Sequence, residues 1–261
     1  MLAKQNIPVP HLKTALTGPL QSIEKSFLDN QNKIECWFRR EWQKTPPPIY
    51  GSVDLRNAGF KLAPVDMNLF PAGFNNLNPD FIPLCIQAMQ ETVEKCRPGI
   101  MRILIIPENH TRNIPYLENV ASLQDIMLKA GFDVRIGSLL PDIKHPEIFH
   151  LPSKRTLSLE PLQRHNNKVI LDGFEPCLVW LNNDLSDGIP KILEGITQTI
   201  SPPLKLGWSN RLKSGHFKHY QAITKEFSSL INIDPWLINP LFKHCHDVDF
   251  LNREGMDCLA K

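Results

Sequence analysis

Residues 101–136 constrain the fold more than any other stretch. Met101-Arg102-Ile103-Leu104-Ile105-Ile106 is an apolar run of strand length closed by Pro107, the pattern of a strand buried on both faces. Tyr116–Ala130 carries apolar residues at helical spacing and stops at Gly131, where a left-handed helix cap is expected. Phe132-Asp133-Val134-Arg135-Ile136 then reads as a second strand. Strand, loop, helix, glycine and strand in that order predict a βαβ unit with parallel pairing. The rest of the chain has to be built around a parallel sheet.

The flanking segments extend this plan. Phe81–Lys95 reads as a helix burying Ile82, Cys85, Ile86, Met89 and Val93, and Pro98-Gly99 ends it. Lys168–Phe174 and Pro176–Leu181 are further strand candidates, and residues 216–232 form another helix. Ile189–Ile200 reads as a helix with Pro190 in its first turn, where proline is tolerated. Residues 141–166 show no clear period and read as a long connection. Near the N-terminus, Leu16, Leu20, Ile23, Phe27 and Leu28 recur at helical spacing, and Ile34, Trp37 and Phe38 continue the stripe. Pro46-Pro47-Pro48 stops that segment, because three prolines cannot continue a helix. The expected fold is therefore α/β: a mostly parallel sheet flanked by helices, with an N-terminal helical segment over residues 1–48 and an α/β region over 49–261.

Composition excludes several functions. A net charge of +2 over 261 residues gives no electrostatic ground for binding nucleic acid or an acidic membrane surface. No run approaches the roughly 18–20 apolar residues that span a bilayer, and the start lacks the apolar stretch of a secretory signal. A cytoplasmic protein is expected. The six cysteines are scattered without a Cys-x-x-Cys pair, so neither a disulfide framework nor a zinc site is expected. His244-Cys245-His246 places three ligand types in a row, but adjacent side chains point apart, and no metal site is assigned there.

The polar chemistry gathers in three loops. Residues 51–76 pack two Asp, one Arg, one Lys and four Asn among three Gly and two Pro, a composition too polar for core and too aromatic for a linker. Apart from a short alternation at Val53–Leu55 it reads as an ordered loop. Asp54, Arg56, Asn57, Lys61, Asp66, Asn68, Asn75 and Asn76 offer both donors and acceptors, as a zwitterionic ligand requires. Equally, Asn and Asp in such a loop can satisfy their own backbone turns. Glu108-Asn109-His110-Thr111-Arg112-Asn113 directly follows one predicted strand, and Asn182-Asn183-Asp184 follows another. Ligands of open parallel sheets sit beyond the carboxyl ends of the strands. Gathered there, Arg56, Lys61 and Arg112 would face carboxylates, and Asp66, Glu108 and Asp184 would face an ammonium group. Substrate contacts are thus expected at Glu108, Asn109, Arg112 and Asn113 as well as in the first loop. His110 and Arg112 are the candidates for catalysis, His110 as a base on an amine or as a residue that orients its neighbours. Arg211 and Lys213 are candidate phosphate or carboxylate contacts. No phosphate-binding glycine loop occurs, so no nucleotide site is recognisable in the chain.

Four blocks in order carry a resemblance: Asp54 through Asn76, Ile105 through Asn113, Leu206-Gly207-Trp208 with Arg211 and Lys213-Ser214, and Ile233-Asp234-Pro235-Trp236-Leu237-Ile238-Asn239-Pro240. Together they resemble the N-terminal part of the proteobacterial glutamate–cysteine ligases of the type first described from iron-oxidising bacteria. The resemblance implies ATP-dependent joining of glutamate and cysteine into γ-glutamylcysteine, the first step of glutathione biosynthesis, with ATP and magnesium as cofactors and the two amino acids as partners. Family members are longer, and an ATP-grasp-like nucleotide-binding region is expected after the point where this chain stops. Residues 49–261 would then be a substrate-binding region truncated before that domain, incomplete for catalysis without a missing C-terminal half. A non-catalytic amino-acid-binding module, or a truncated remnant without ligase activity, is the alternative.

Overall fold

A computed structural model describes residues 18–109, 113–242 and 251–260. The described residues begin with helices α1 (Gly18–Asp29) and α2 (Gln31–Lys44), then strands β1 (Ser52–Asn57) and β2 (Leu62–Asn68). Helix α3 (Ile82–Cys96), strand β3 (Arg102–Pro107), helix α4 (Ile114–Lys129) and strand β4 (Asp133–Ser138) follow. Next come strands β5 (Glu147–His150), β6 (Thr156–Pro161), β7 (Gln163–His165), β8 (Lys168–Ile170), β9 (Leu178–Asn182) and β10 (Thr199–Ser201). Helices α5 (Lys213–Ile231) and α6 (Arg253–Ala260) close the chain. The described residues form two units, one from Lys44–Val53 with Met67–Arg211, the other from the described parts of Leu16–Gln43, Asp54–Asp66 and Leu212–Lys261.

The first unit is built on a six-stranded sheet in the order β10-β9-β3-β4-β6-β5. Every neighbouring pair is parallel except β5 with β6. The βαβ unit read from residues 101–136 is present: β3 and β4 are parallel neighbours in register from Arg102 opposite Asp133 to Ile105 opposite Ile136. Gly131 ends the intervening helix at φ 95°, a conformation glycine adopts without steric cost.

Alternation along the central strands divides the core into two layers. Ile103 and Ile105 of β3 and Leu178 and Trp180 of β9 pack with Leu117, Val120, Leu123 and Met127 of α4 and with Met89 and Val93 of α3. Leu104, Ile106, Val179 and Leu181 pack on the opposite layer with Leu69, Phe70, Val169, Leu171 and Leu193. Burial on both faces explains why β3 and β9 read as continuous apolar runs.

Four segments differ from expectation. Residues 141–166 are not a plain connection: they contain β5, β6 and β7. The Thr156-Leu157-Ser158-Leu159 alternation is a half-buried strand pattern, with both leucines fully buried. Ile189–Ile200 is not a helix. It holds a single 3₁₀ turn at Lys191–Leu193 and runs into β10, and Gly195 at φ 63° is incompatible with a helix interior. Within Lys168–Phe174 only β8 is strand, and it pairs antiparallel with β7 outside the main sheet. The rest is a tight turn in which Leu171 and Phe174 exchange both backbone hydrogen bonds. Residues 51–76 are not loop throughout, because β1 and β2 pair as a hairpin. Its turn is closed by the Ala58 N–H donating to the Lys61 carbonyl at 3.0 Å, and the Asn57 side-chain oxygen accepts the Gly59 N–H at 2.8 Å.

The second unit is an aromatic helical cluster. α1 and α2 are separated at Asn30, whose side-chain amide donates to the Ser26 carbonyl at 2.8 Å. Leu20, Ile23 and Phe27 face Phe227, Ile233 and Ile238. Leu28 is 65% exposed, a departure from the expected stripe: it lies about 100° round the helix from Phe27. Trp37 packs edge-on against Phe227 and its indole N–H donates to Glu226 at 2.8 Å. The αL conformation of Asn232, at φ 55°, caps α5.

Candidate functional site

The carboxyl edge of the sheet gathers buried polar groups around Glu108. β3 ends at Pro107, which has no N–H to continue the ladder, so the next residue leaves the sheet and Glu108 stands at the strand's end. Its Oε1 accepts the Asp184 backbone N–H at 2.5 Å. Burial pushes the Glu108 carboxyl up to about 7, and the negative charges of Asp184 and Asp187 add to the shift. Among the described residues, its Oε2 has no hydrogen-bond partner.

Tyr116, in the first turn of α4, ties this corner together. Asn113 caps the helix, its side-chain oxygen accepting the Tyr116 N–H at 3.5 Å, and Pro115 sits in the first turn. The Tyr116 hydroxyl oxygen accepts the Glu108 backbone N–H at 2.7 Å. It donates to the carbonyl or side-chain oxygen of Asn182, both 3.1 Å away. Asn182 is itself 1% exposed and donates from Nδ2 to the Pro71 carbonyl at 2.8 Å. Tyr50 donates to the Leu181 carbonyl at 2.7 Å and packs on Trp180. Burial drives both tyrosine hydroxyls well above their ordinary range, so they remain protonated donors.

The loop before α3 is laced to the same edge. Asn119, one turn along α4 from Tyr116, is 1% exposed. Its Oδ1 accepts the Gly73 and Phe74 N–H groups at 2.7 and 2.9 Å. Those two donors fix which end of the amide is oxygen. The Asn119 Nδ2 is then buried without a hydrogen-bond partner among the described residues.

The expected site residues fall in both units. In the first, Asn68 accepts the Phe70 N–H at 2.8 Å, Asn75 and Asn76 are exposed in a 3₁₀ turn, and Asn109 is exposed. Asn113 serves as a helix cap. Arg211 donates from Nη2 to the Met67 carbonyl at 3.1 Å, while its Nε is buried without a described partner. In the second unit, Asp54, Arg56 and Asn57 are exposed on β1. The Lys61 ammonium lies 4.5 Å from the Trp236 ring centre, and Asp66 pairs with Lys213 at 3.0 Å. His110 and Arg112 lie outside the described residues, as does His244-Cys245-His246.

Of the anions and cations expected to converge, the structure joins Glu108 with Asp184 and Asp66 with Lys213. Tyr50 and Asn119 escaped the sequence reading as site residues. Asn119 left one signal, an amide on an otherwise apolar helix face between Leu117 and Val120. Tyr50 left none, since its partner Leu181 lies 131 residues away. No group of three or more His, Cys, Asp and Glu side chains that could hold a metal ion occurs among the described residues. Cys36, Cys85, Cys96 and Cys177 are free. No helix of the described residues is long and apolar enough to cross a membrane.

The fold is α/β, a mostly parallel sheet with a carboxylate, two tyrosines and buried amides at its carboxyl edge, the place where sheets of this class carry small-molecule sites. Comparison with known proteins narrows the class. The model of the glutamate-cysteine ligase family matches residues 24–261, and the chain belongs to that family. The crystal structure of a candidate gamma-glutamylcysteine synthetase from Methylobacillus flagellatus KT aligns with a TM-score of 0.89 at 56% sequence identity, covering 97% of this chain and 59% of that one. The chain thus spans about three-fifths of the length of that neighbour. No curated protein matches it.

Proposed function

We propose that this chain supplies the amino-acid-binding part of an ATP-dependent ligase that joins the side-chain carboxyl of glutamate to the amine of cysteine. The proposal includes the iron-oxidiser type within the family and a cytoplasmic site of action. The observation that carries it is half-buried Glu108 beside Asp184 at the end of parallel strands, in a member of this family. Two carboxylates facing a sheltered edge favour an ammonium group, the one cation both substrates share. In the first unit Asn68, Asn75, Asn76 and Asn109 are assigned to polar substrate contacts; in the second, taken by itself, Arg56 and Lys61 are assigned to a substrate carboxylate. His110 and Arg112, which lie outside the described residues, are the proposed catalytic candidates.

The reaction draws on ATP and magnesium to activate the glutamate carboxyl. Among the described residues no group of three or more His, Cys, Asp and Glu side chains that could hold a metal ion occurs. Calorimetric titration of this chain with glutamate and with cysteine, beside product assay of the native gene product, tests the reading. Saturable binding with γ-glutamylcysteine formation supports it, and absence of both removes it. The alternative reading is binding by this chain without turnover, for which the same titration gives binding but the native product forms no dipeptide.

A further inference from the structure

We infer that Glu108 is the proton acceptor for the attacking amine, with Tyr116 as its positioning residue. This rests on the ligase reading above and assigns a chemical role within it. An amine reaches an acyl group as nucleophile only after its ammonium form gives up a proton, so a ligase of this class needs a base beside the bound ammonium.

Glu108 has the geometry for that task. Its main chain is fixed from two sides: the N–H by the Tyr116 hydroxyl at 2.7 Å and the β3 end by the parallel ladder to β9, where Pro107 lies opposite Asn182. Of its carboxylate oxygens, Oε1 is held by the Asp184 N–H, while Oε2 carries no partner among the described residues and is left to meet an ammonium. Half-burial beside Asp184 and Asp187 raises its pKa to about 7, which lets it take and return a proton near neutral pH. The other groups that sense its charge are Tyr116 from α4 and Tyr50 from the segment before β1. Both stay protonated and do not compete as bases. His110 and Arg112 follow in the chain, outside the described residues.

An independent observation points to a ligand at this edge. Among the described residues the buried Nδ2 of Asn119 lacks a partner, and an unpaired buried amide donor is costly unless a bound molecule supplies the acceptor. Asn119 holds the Gly73–Phe74 backbone of the loop whose Pro71 carbonyl is held by Asn182. A substrate carboxylate oxygen is the acceptor this donor would take.

The step balances as follows. The cysteine ammonium transfers one proton to Oε2 of Glu108, leaving a neutral amine. Its nitrogen forms the C–N bond to the acyl carbon of the γ-glutamyl phosphate, the C–O bond to phosphate breaks, and phosphate leaves with the electron pair. The second proton lost from nitrogen passes to the departing phosphate.

Hydroxylamine separates this role from binding, because it is largely unprotonated at neutral pH and needs no base. The native protein is assayed with glutamate, ATP and magnesium, with cysteine or hydroxylamine as acceptor, and compared with Glu108→Gln. Cysteine-dependent product is expected to fall about 100-fold or more while hydroxamate formation stays within about threefold. Equal loss of both products, or no loss of either, overturns the assignment. A native protein that forms neither product overturns the ligase reading itself, and the base with it. Glu108→Asp guards against a variant that fails to fold: it keeps a carboxylate and is expected to restore part of the cysteine reaction, with the neutral-pH limb of its rate profile displaced. An Asp variant that folds and forms hydroxamate but shows an unmoved limb also overturns the assignment. Tyr116→Phe is expected to displace the same limb, which a purely structural hydroxyl would leave in place.

Discussion

The Tyr116 hydroxyl oxygen accepts the Glu108 backbone N–H at 2.7 Å and donates a hydrogen bond to Asn182, 3.1 Å away. One side chain from a helix thereby joins the ends of two neighbouring parallel strands, at the place where β3 has run out of ladder. Removing the hydroxyl in Tyr116→Phe leaves the Glu108 N–H and an Asn182 oxygen unsatisfied. The expected cost is about 1–3 kcal/mol, read as a lowered urea midpoint at unchanged slope.

Glu108 makes stability depend on pH. Its carboxyl holds a proton to about 7 in the folded protein, against an ordinary value of 4.5. The native state therefore binds more protons than the unfolded state across that window, and stability falls as pH rises from 4.5 to 7. The contribution is fully present below 4.5. Melting temperatures of the wild type and Glu108→Gln, taken across this range, are expected to converge at low pH and diverge toward pH 7, with the variant the more stable.

Arg135 is the sole described cationic partner of Glu160, a residue only 7% exposed. It also donates to the Asp172 carbonyl at 2.8 Å and lies over the Phe174 ring. Arg135→Ala leaves a carboxylate buried without its cation and is expected to cost about 3 kcal/mol. Replacing both partners together, Arg135→Met with Glu160→Leu, is expected to cost less, which a double-mutant cycle in urea measures.

Gly137 lies mid-strand in β4 where a Cβ would meet Leu162 Cδ2 at 2.5 Å and Leu104 Cδ1 at 3.0 Å. Gly137→Ala is expected to destabilise by about 1–3 kcal/mol through overpacking. Chemical denaturation checks it, and Leu162→Ala in the same chain is expected to recover part of the loss attributable to the clash.

Arg56 is exposed on β1, so Arg56→Ala is expected to leave the melting temperature unchanged. If it pairs with a substrate carboxylate, amino-acid affinity falls by about 2–5 kcal/mol. Calorimetry decides between that loss and an unchanged affinity, which would remove Arg56 from the proposed substrate contacts.

The sequence by itself determined the sheet's centre. The run from Arg102 to Pro107, the periodic helix after Asn113 and the glycine at 131 carry local signals strong enough to specify strand, helix and turn, and burial on both faces made β3 and β9 unmistakable. Segments whose structure depends on distant partners were not legible. β6 is a strand because Leu157 and Leu159 have a sheet to pack on, and β1 and β2 pair because the turn at Ala58–Lys61 brings them together. Thr199–Ser201 becomes a strand only against Leu178–Trp180.

The site divides the same way. Glu108 and Asn182–Asp184 could be placed at strand ends, since strand ends follow from local pattern. That Tyr116 would seal Glu108, that Tyr50 would reach Leu181, and that Asp66 would meet Lys213 across 147 residues were decided by tertiary structure alone. Hydrogen bonds between side chains far apart in the chain leave no periodicity, and a carboxyl's affinity for protons is set by the burial and neighbouring charge that only the folded chain assembles.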